Sequence, residues 1–309
     1  MTNQQINTNT FGVAKWVVSP NPTQGTHTTI GAALAAASSG DTIFIRNGTY
    51  TENLTLQAGV NLTALIADAY TPNVTIVGKL SFSGAGSISI SGICLQTNGD
   101  YFLSLTGSSL YTVQLIDCSF ICSNNTGIQV TNSNSSSILS LYYCEADITS
   151  TGIACFSKSG SSQMFVQWCN FENSGGSTTA SSFTAGYTAF IFCTSDGGLT
   201  LNYSVTGSGD IESCHLYNRT NATMVTCSGT GALFITHSDF ACMEPTTSNL
   251  IVFNSSANWR ITHCHINSTS SSAISGSGTV RYAAISFEAG GGFSVSTKTP
   301  LPFYAGTVM

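Results

Sequence analysis

Apolar positions recur along the chain in short alternating runs, and the runs themselves repeat. LIDCSF, LYYCEA, VQWCNF, IESCHL, ITHSDF and ITHCHI superpose on the reference positions Cys118, Cys144, Cys169, Cys214, Ser238 and Cys264. The steps between them are 26, 25, 45, 24 and 26 residues, and SISGICL carries the series back 25 residues to Ile93. A fixed period of this kind marks a repeat architecture. The 45-residue step holds either two short coils or one coil with an insertion near Gly175 to Gly186.

Three residues before each reference lies an apolar residue: Ile90, Leu115, Leu141, Val166, Ile211, Ile235 and Ile261. Two residues after it lies another: Leu95, Phe120, Ala146, Phe171, Leu216, Phe240 and Ile266. An offset of two keeps side chains on one strand face, whereas an offset of three does so only across a bend. The motif is therefore strand, corner, strand. About nine residues on, a second signature recurs in TGIQV, TGIAC, ATMVTC and SAISG, which gives each coil about three short strands. A period near 25 without a helix in each repeat excludes ankyrin, tetratricopeptide and leucine-rich repeats. It predicts an all-β, single-stranded parallel β-helix in which coils pair at about 4.8 Å and equivalent residues form interior files. Cysteines stacked in such a file have parallel Cβ vectors about 4.8 Å apart, wider than the ~3.8 Å of a disulfide, so reduced thiols are expected.

The chain has 309 residues with no linker or composition shift, which favours one domain. Within THTTIGAALAAASSGD, Thr28 or Thr29 can cap a short helix over residues 28–39 that places Ile30, Ala33, Leu34 and Ala37 on one face and ends near Gly40. That helix would cover the first coil. The expected division is an extension over 1–27, a β-helix over 28–289, and a cap or subunit-contact tail over 290–309 that carries Pro300 and Pro302. Only 7% of residues are charged, so Ser, Thr, Asn and Gly must supply the solvated surface. With 8 Lys and Arg against 14 Asp and Glu side chains, there is no basic footprint for nucleic acid. No apolar run is long enough to cross a membrane, and the N-terminus lacks a secretory core.

The stretch from Thr28 to Leu56 resembles the opening of the pectin-lyase-like right-handed parallel β-helix superfamily. Gly40, Asp41, Thr42 and Ile43, then Gly48, Thr49, Tyr50 and Glu52, stand at the matching positions of its GDTI strand and GTYxE turn. The superfamily includes pectin methylesterases, pectate lyases, polygalacturonases and trimeric bacteriophage tailspikes and tail fibres. The esterase, polygalacturonase and lyase motifs are absent, and the acids are scattered along the sequence. By resemblance and elimination, the expectation is a structural, receptor-binding part of a phage or virus particle: a homotrimer that contacts a cell-surface polysaccharide and other virion proteins, without a cofactor. The alternatives are a polysaccharide-degrading lyase or hydrolase with an inter-coil or inter-subunit site, and a bacterial surface adhesin.

Two groups carry candidate chemistry. On the outward position after the reference, His215, Asp239 and His265 should stack on adjacent coils as an acid–base group, and at the corner His237 and His263 should stack as metal ligands. The alternative for both is a solvated polar ladder. Among the aromatics Tyr142, Tyr143, Trp168, Tyr203, Tyr217 and Trp259, the residues Tyr143, Trp168 and Trp259 are candidates for ligand binding, since exposed rings stack on sugars and dominate interfaces. Ordinary corner packing is the competing reading. By the family resemblance, Asp41 and Glu52 are expected to belong to the scaffold, making turn and strand-end hydrogen bonds.

Overall fold

A computed structural model describes residues 15–65, 74–97, 99, 101–123, 126–150, 153–174, 180–197, 199–218, 223–242, 249–254, 259–268, 270–288 and 292–301. The described chain winds into a solenoid that is all-β apart from one short helix, and its strands pair in parallel from coil to coil, those at the two ends on one side only. Each coil has three walls. The first stacks short strands such as Leu103–Leu105, Ile128–Val130 and Phe156–Lys158. The second stacks longer ones, including Tyr111–Ile116, Ile138–Tyr142 and Gln163–Gln167. The third is an 11-stranded sheet running from Gly48–Thr51 to Ser286–Glu288.

The offsets read from the sequence are the pairing register. Leu115 pairs with Ile90 on one side and Leu141 on the other, and the file continues through Val166, Phe190, Ile211, Ile235 and Ile261. On the third wall Leu95, Phe120, Ala146, Phe171, Ser195, Leu216, Phe240 and Ile266 form the matching file. Both files lie in one continuous buried core. Each Ile, Leu or Phe in it contributes roughly 1.5–3 kcal/mol on burial. That supply of apolar burial lets so sparsely charged a chain fold.

The 45-residue step contains two short coils. Gln163 pairs with Tyr187 and Tyr187 with Ser208, while Asn170 pairs with Thr194 and Thr194 with His215. The intervening reference is Cys193, where the third-wall strand presents Ser195 in place of an apolar residue. Of the proposed insertion, residues 175–179 lie outside those described. One first-wall alignment shifts by three residues: Ile128 pairs with Phe156 and not with Ile153, because the turn before that strand is longer.

The reference position is a corner fitting. Cys118, Cys144, Cys169, Cys193, Cys214 and Cys264 each place the thiol 3.2–3.5 Å from the carbonyl two residues earlier. Ser238 does the same with its hydroxyl at 2.9 Å. A small buried donor is what the corner selects, and Ser and Cys both meet it. The ten described cysteines are buried and unbridged.

At the first coil, helix α1 spans Ile30–Ala36 and buries Ile30, Ala33 and Leu34. It is shorter than the 28–39 expected. Thr29 accepts from the Ala32 N–H, and the Glu52 carboxylate accepts from the N–H groups of Ile30 and Gly31, both at 2.9 Å. Trp16–Val18 pairs with Ile43–Ile45, so part of the expected extension is a strand of the solenoid. Asp41 binds that strand to the first coil: it accepts from Trp16 Nε1, the Ser38 N–H and Lys15 Nζ, which hold its carboxyl down at about 2. Asp41 and Glu52 are thus scaffold carboxylates. At the other end Phe293–Pro300 pairs with Ile274–Ala283; residues 1–14 and 302–309 lie outside the described residues.

Candidate functional site

The corner between the second and third walls turns on a single residue, immediately before the reference, held in the left-handed backbone region. In successive coils this residue is Gly92, Asp117, Tyr143, Trp168, Phe192, Ser213, His237, His263 and Ala284, with φ between 48° and 68°. Such a conformation costs an L-residue roughly 1–2 kcal/mol and normally selects glycine or asparagine. Here the solenoid enforces it. From Gly92 to His263 the N–H of each corner residue donates to a carbonyl of the next coil, for example Tyr143 to Gln167, Trp168 to Ile191, Phe192 to Glu212, and His237 to Thr262. The ladder of inter-coil bonds fixes the backbone, so the side chain is free to be chosen for another purpose.

On three consecutive coils that side chain is a large aromatic ring. Tyr143, Trp168 and Phe192 are 56%, 44% and 50% exposed. Their rings lie in nearly parallel planes, Tyr143 to Trp168 at 5.3 Å and 14°, and Trp168 to Phe192 at 5.8 Å and 8°. These are offset stacks, in which each ring covers only part of its neighbour's face. The outcome is an apolar terrace roughly 10 Å long, at about 4.8 Å per coil.

Beside the terrace the third wall carries polar side chains. Its first outward position reads Ser119, Glu145, Asn170, Thr194, His215, Asp239 and His265. Two residues further on, Asp147 pairs with Glu172, and Asp196 follows on the next coil, one residue past the Phe171–Ser195 pair. Three acids scattered in sequence therefore form a file. Ser174 donates to Asp147 at 2.8 Å, Asn170 to Glu172 at 3.1 Å, and Thr194 to Asn170 at 2.7 Å.

Higher on the same corner the chemistry changes. His237 and His263 stack at 4.9 Å and 7°. His215, Asp239 and His265 fall in register as the spacing predicts, with His215 Nδ1 2.9 Å and His265 Nδ1 4.0 Å from the Asp239 carboxylate. All three are substantially solvated. The rings of His237 and His263 lie in parallel planes, so the in-plane nitrogen lone pairs of this pair run side by side. Among the described residues no group of three or more His, Cys, Asp or Glu side chains is arranged to hold a metal.

Two aromatic candidates lie in the core. Trp259 is fully buried against Phe253, with ring centroids 5.7 Å apart, and Tyr203 is fully buried with its hydroxyl donating to the Thr188 carbonyl at 3.3 Å. Neither can touch a ligand. Tyr142 and Tyr217 are partly buried on strands and do not join the terrace. Phe192 is the member that sequence reading missed, although it precedes Cys193 as Tyr143 precedes Cys144 and Trp168 precedes Cys169.

No protein-family model matches the chain, and no curated protein matches it. Among solved structures it is similar to the catalytic domain of a GH87 α-1,3-glucanase in complex with tetrasaccharides, at 11% identity and a TM-score of 0.56, covering 93% of this chain and 66% of that one. The same glucanase domain in complex with nigerose gives 12% identity and a TM-score of 0.50, with the same coverage of both chains. The chain shares the right-handed parallel β-helix fold of the pectin-lyase-like proteins. It is also similar to the pectin methylesterase from carrot, at 12% identity and a TM-score of 0.39, covering 93% of this chain and 88% of that one. The chain spans about two thirds of the length of the glucanase domain. At these identities the likeness is one of fold, and the terrace is argued from this chain's own residues.

Proposed function

We propose that this β-helix engages polysaccharide, with the Tyr143–Trp168–Phe192 terrace as the platform on which the glycan lies. The observation that supports it is the choice of three large rings, half exposed, at consecutive positions whose backbone disfavours them. Left-handed residues of this kind, when observed, point toward function. Sugar rings present flat C–H faces to aromatic surfaces, and the inter-coil step of about 4.8 Å is comparable to the length of one hexose in an extended chain. Glycan engagement is also what a tailspike-like fibre, a surface adhesin and a polysaccharide-cleaving enzyme have in common. The fold is one on which a GH87 α-1,3-glucanase domain has been solved with tetrasaccharides.

The test is affinity electrophoresis of the intact chain through gels cast with individual soluble polysaccharides. At least one polymer should retard the wild type, and Trp168→Ala should abolish the retardation while leaving the circular dichroism spectrum unchanged. Equal retardation of wild type and Trp168→Ala would remove the terrace from the account.

A second reading, glycosidic cleavage, is favoured by the file of Asp147, Glu172 and Asp196 beside the terrace. Carboxyl pairs about 5–5.5 Å apart serve retaining hydrolysis and pairs about 6.5–9.5 Å apart serve inverting hydrolysis, separations of the order set by adjacent or alternate coils. New reducing ends from a retarding polymer, lost in Glu172→Gln, would establish it. Retardation without new ends would leave binding as the activity.

A further inference from the structure

The charge around the terrace is one-sided. At the same corner one coil before Tyr143 stands Asp117, exposed. On the third wall beside the rings stand Glu145, Asp147, Glu172 and Asp196. One coil beyond Phe192, Glu212 is exposed at the end of its second-wall strand. Among the described residues of these coils, no Lys or Arg side chain is exposed against these six carboxylates. Between Lys79 and Arg219 the sequence holds a single Lys or Arg, Lys158, with His215 the one imidazole. The Lys158 side chain is 1% exposed, and its ammonium donates to the carbonyls of Gly160 and Ala185 inside the solenoid. It cannot reach a ligand on the corner.

From this placement we infer that the terrace selects uncharged polysaccharide and rejects uronate- or sulfate-bearing chains. The inference rests on the terrace being the glycan platform and adds its specificity. A polyanion on the rings would bring one charge per sugar or two within a Debye length of about 8–10 Å of several carboxylates, with no exposed Arg or Lys among the described residues of those coils to answer it. An uncharged chain meets the same apolar surface without that repulsion. Specificity here comes from a repulsive element built against the wrong ligand as much as from an attraction to the right one.

The experiment is a polysaccharide array carrying uncharged polymers (glucans, galactomannan and unsubstituted xylan) alongside polygalacturonate, sulfated galactan and polysialate, probed with the intact chain at low and at physiological salt. Bound spots are expected to be uncharged polymers only, weakened at least tenfold by Trp168→Ala. Replacing the carboxylates in a Glu145→Gln, Asp147→Asn, Glu172→Gln variant should raise the ratio of anionic to uncharged binding at least fivefold. Glu145→Gln alone, at an exposed position, should raise it in the same direction if the triple variant is unstable. Wild-type binding to any anionic polymer at least as strong as to the uncharged ones overturns the specificity while keeping the platform, provided Trp168→Ala weakens it. An array that stays dark, or binding indifferent to Trp168→Ala, overturns the platform itself.

Discussion

The coils of Tyr143, Trp168 and Phe192 and the coils of Ser213, His237 and His263 share one corner backbone and carry opposite chemistry. Both sets hold the corner residue at φ of about 50° and send its N–H to the next coil's carbonyl. Both present their outward side chains on the third wall in the same register. In the lower set the corner is apolar and the wall beside it acidic. In the upper set the corner offers stacked imidazoles, and the wall pairs His215 with Asp239. The scaffold is therefore indifferent to what stands in the corner column, and the side chains there report selection for something other than folding. In the core files the opposite holds, since position there dictates an apolar side chain.

The sharpest way to break that division is to compare two tryptophans. Trp259 fills the core, so Trp259→Ala should lower stability by about 3–5 kcal/mol, as large-to-small core substitutions do. Trp168→Ala on the corner should cost less, about 1–2 kcal/mol, because only two partial stacks of exposed rings are lost. Chemical denaturation followed by circular dichroism reads both values. Comparable losses would mean that the corner ring is structural, and the division between core file and corner column would fail.

Those two tryptophans also show what the sequence could and could not reveal. Trp259 lies two residues before Ile261, an inward position, so strand alternation alone places it inside. The expectation of exposure followed from residue type and overlooked parity. Tyr203 likewise follows the inward Leu201 by two. The core files were legible because each inward position lies at a fixed offset from a small buried donor, and His215, Asp239 and His265 came into register for the same reason. The terrace was legible only in part. Phe192 sits in the coil whose third wall presents Ser195 instead of an apolar residue, which hid that coil within the 45-residue step. The file of Asp147, Glu172 and Asp196 depends on the same hidden coil, and with it absent the acids look unrelated.

A smaller effect separates the two sets of coils by their interiors. Beneath the terrace Lys158 occupies an inward first-wall position, paired with Val130 and in the file of Phe183. Burial pushes its ammonium down to about 8 from 10.5. Between those values the unfolded chain holds the extra proton, so stability must rise with pH across that window. The penalty is present in full below pH 8 and gone above about 10.5, a change of about 3 kcal/mol at most. Denaturation midpoints measured from pH 7.5 to 10.5 should climb for the wild type, and Lys158→Met should flatten the climb. An equal climb in Lys158→Met would assign it to other groups and leave the two sets alike inside.

The smallest effect bears on why the rings are there at all. Ser213→Gly relieves a left-handed residue of roughly 1–2 kcal/mol of strain, against roughly 0.5–1 kcal/mol of added unfolded-state entropy. It should therefore stabilise the chain slightly. Trp168→Gly receives the same relief but loses two offset stacks worth about 0.5–1.5 kcal/mol each, so it should be destabilising by up to about 2 kcal/mol. The difference between the two variants in urea midpoint measures what the rings give one another. A difference near zero would mean that Trp168 gains nothing from Tyr143 and Phe192, leaving an external partner as the only physical reason for three exposed rings on a backbone that disfavours them. A difference of the expected size means that the terrace is pre-assembled, its rings fixed before any glycan arrives, and that less ordering entropy is then lost on binding.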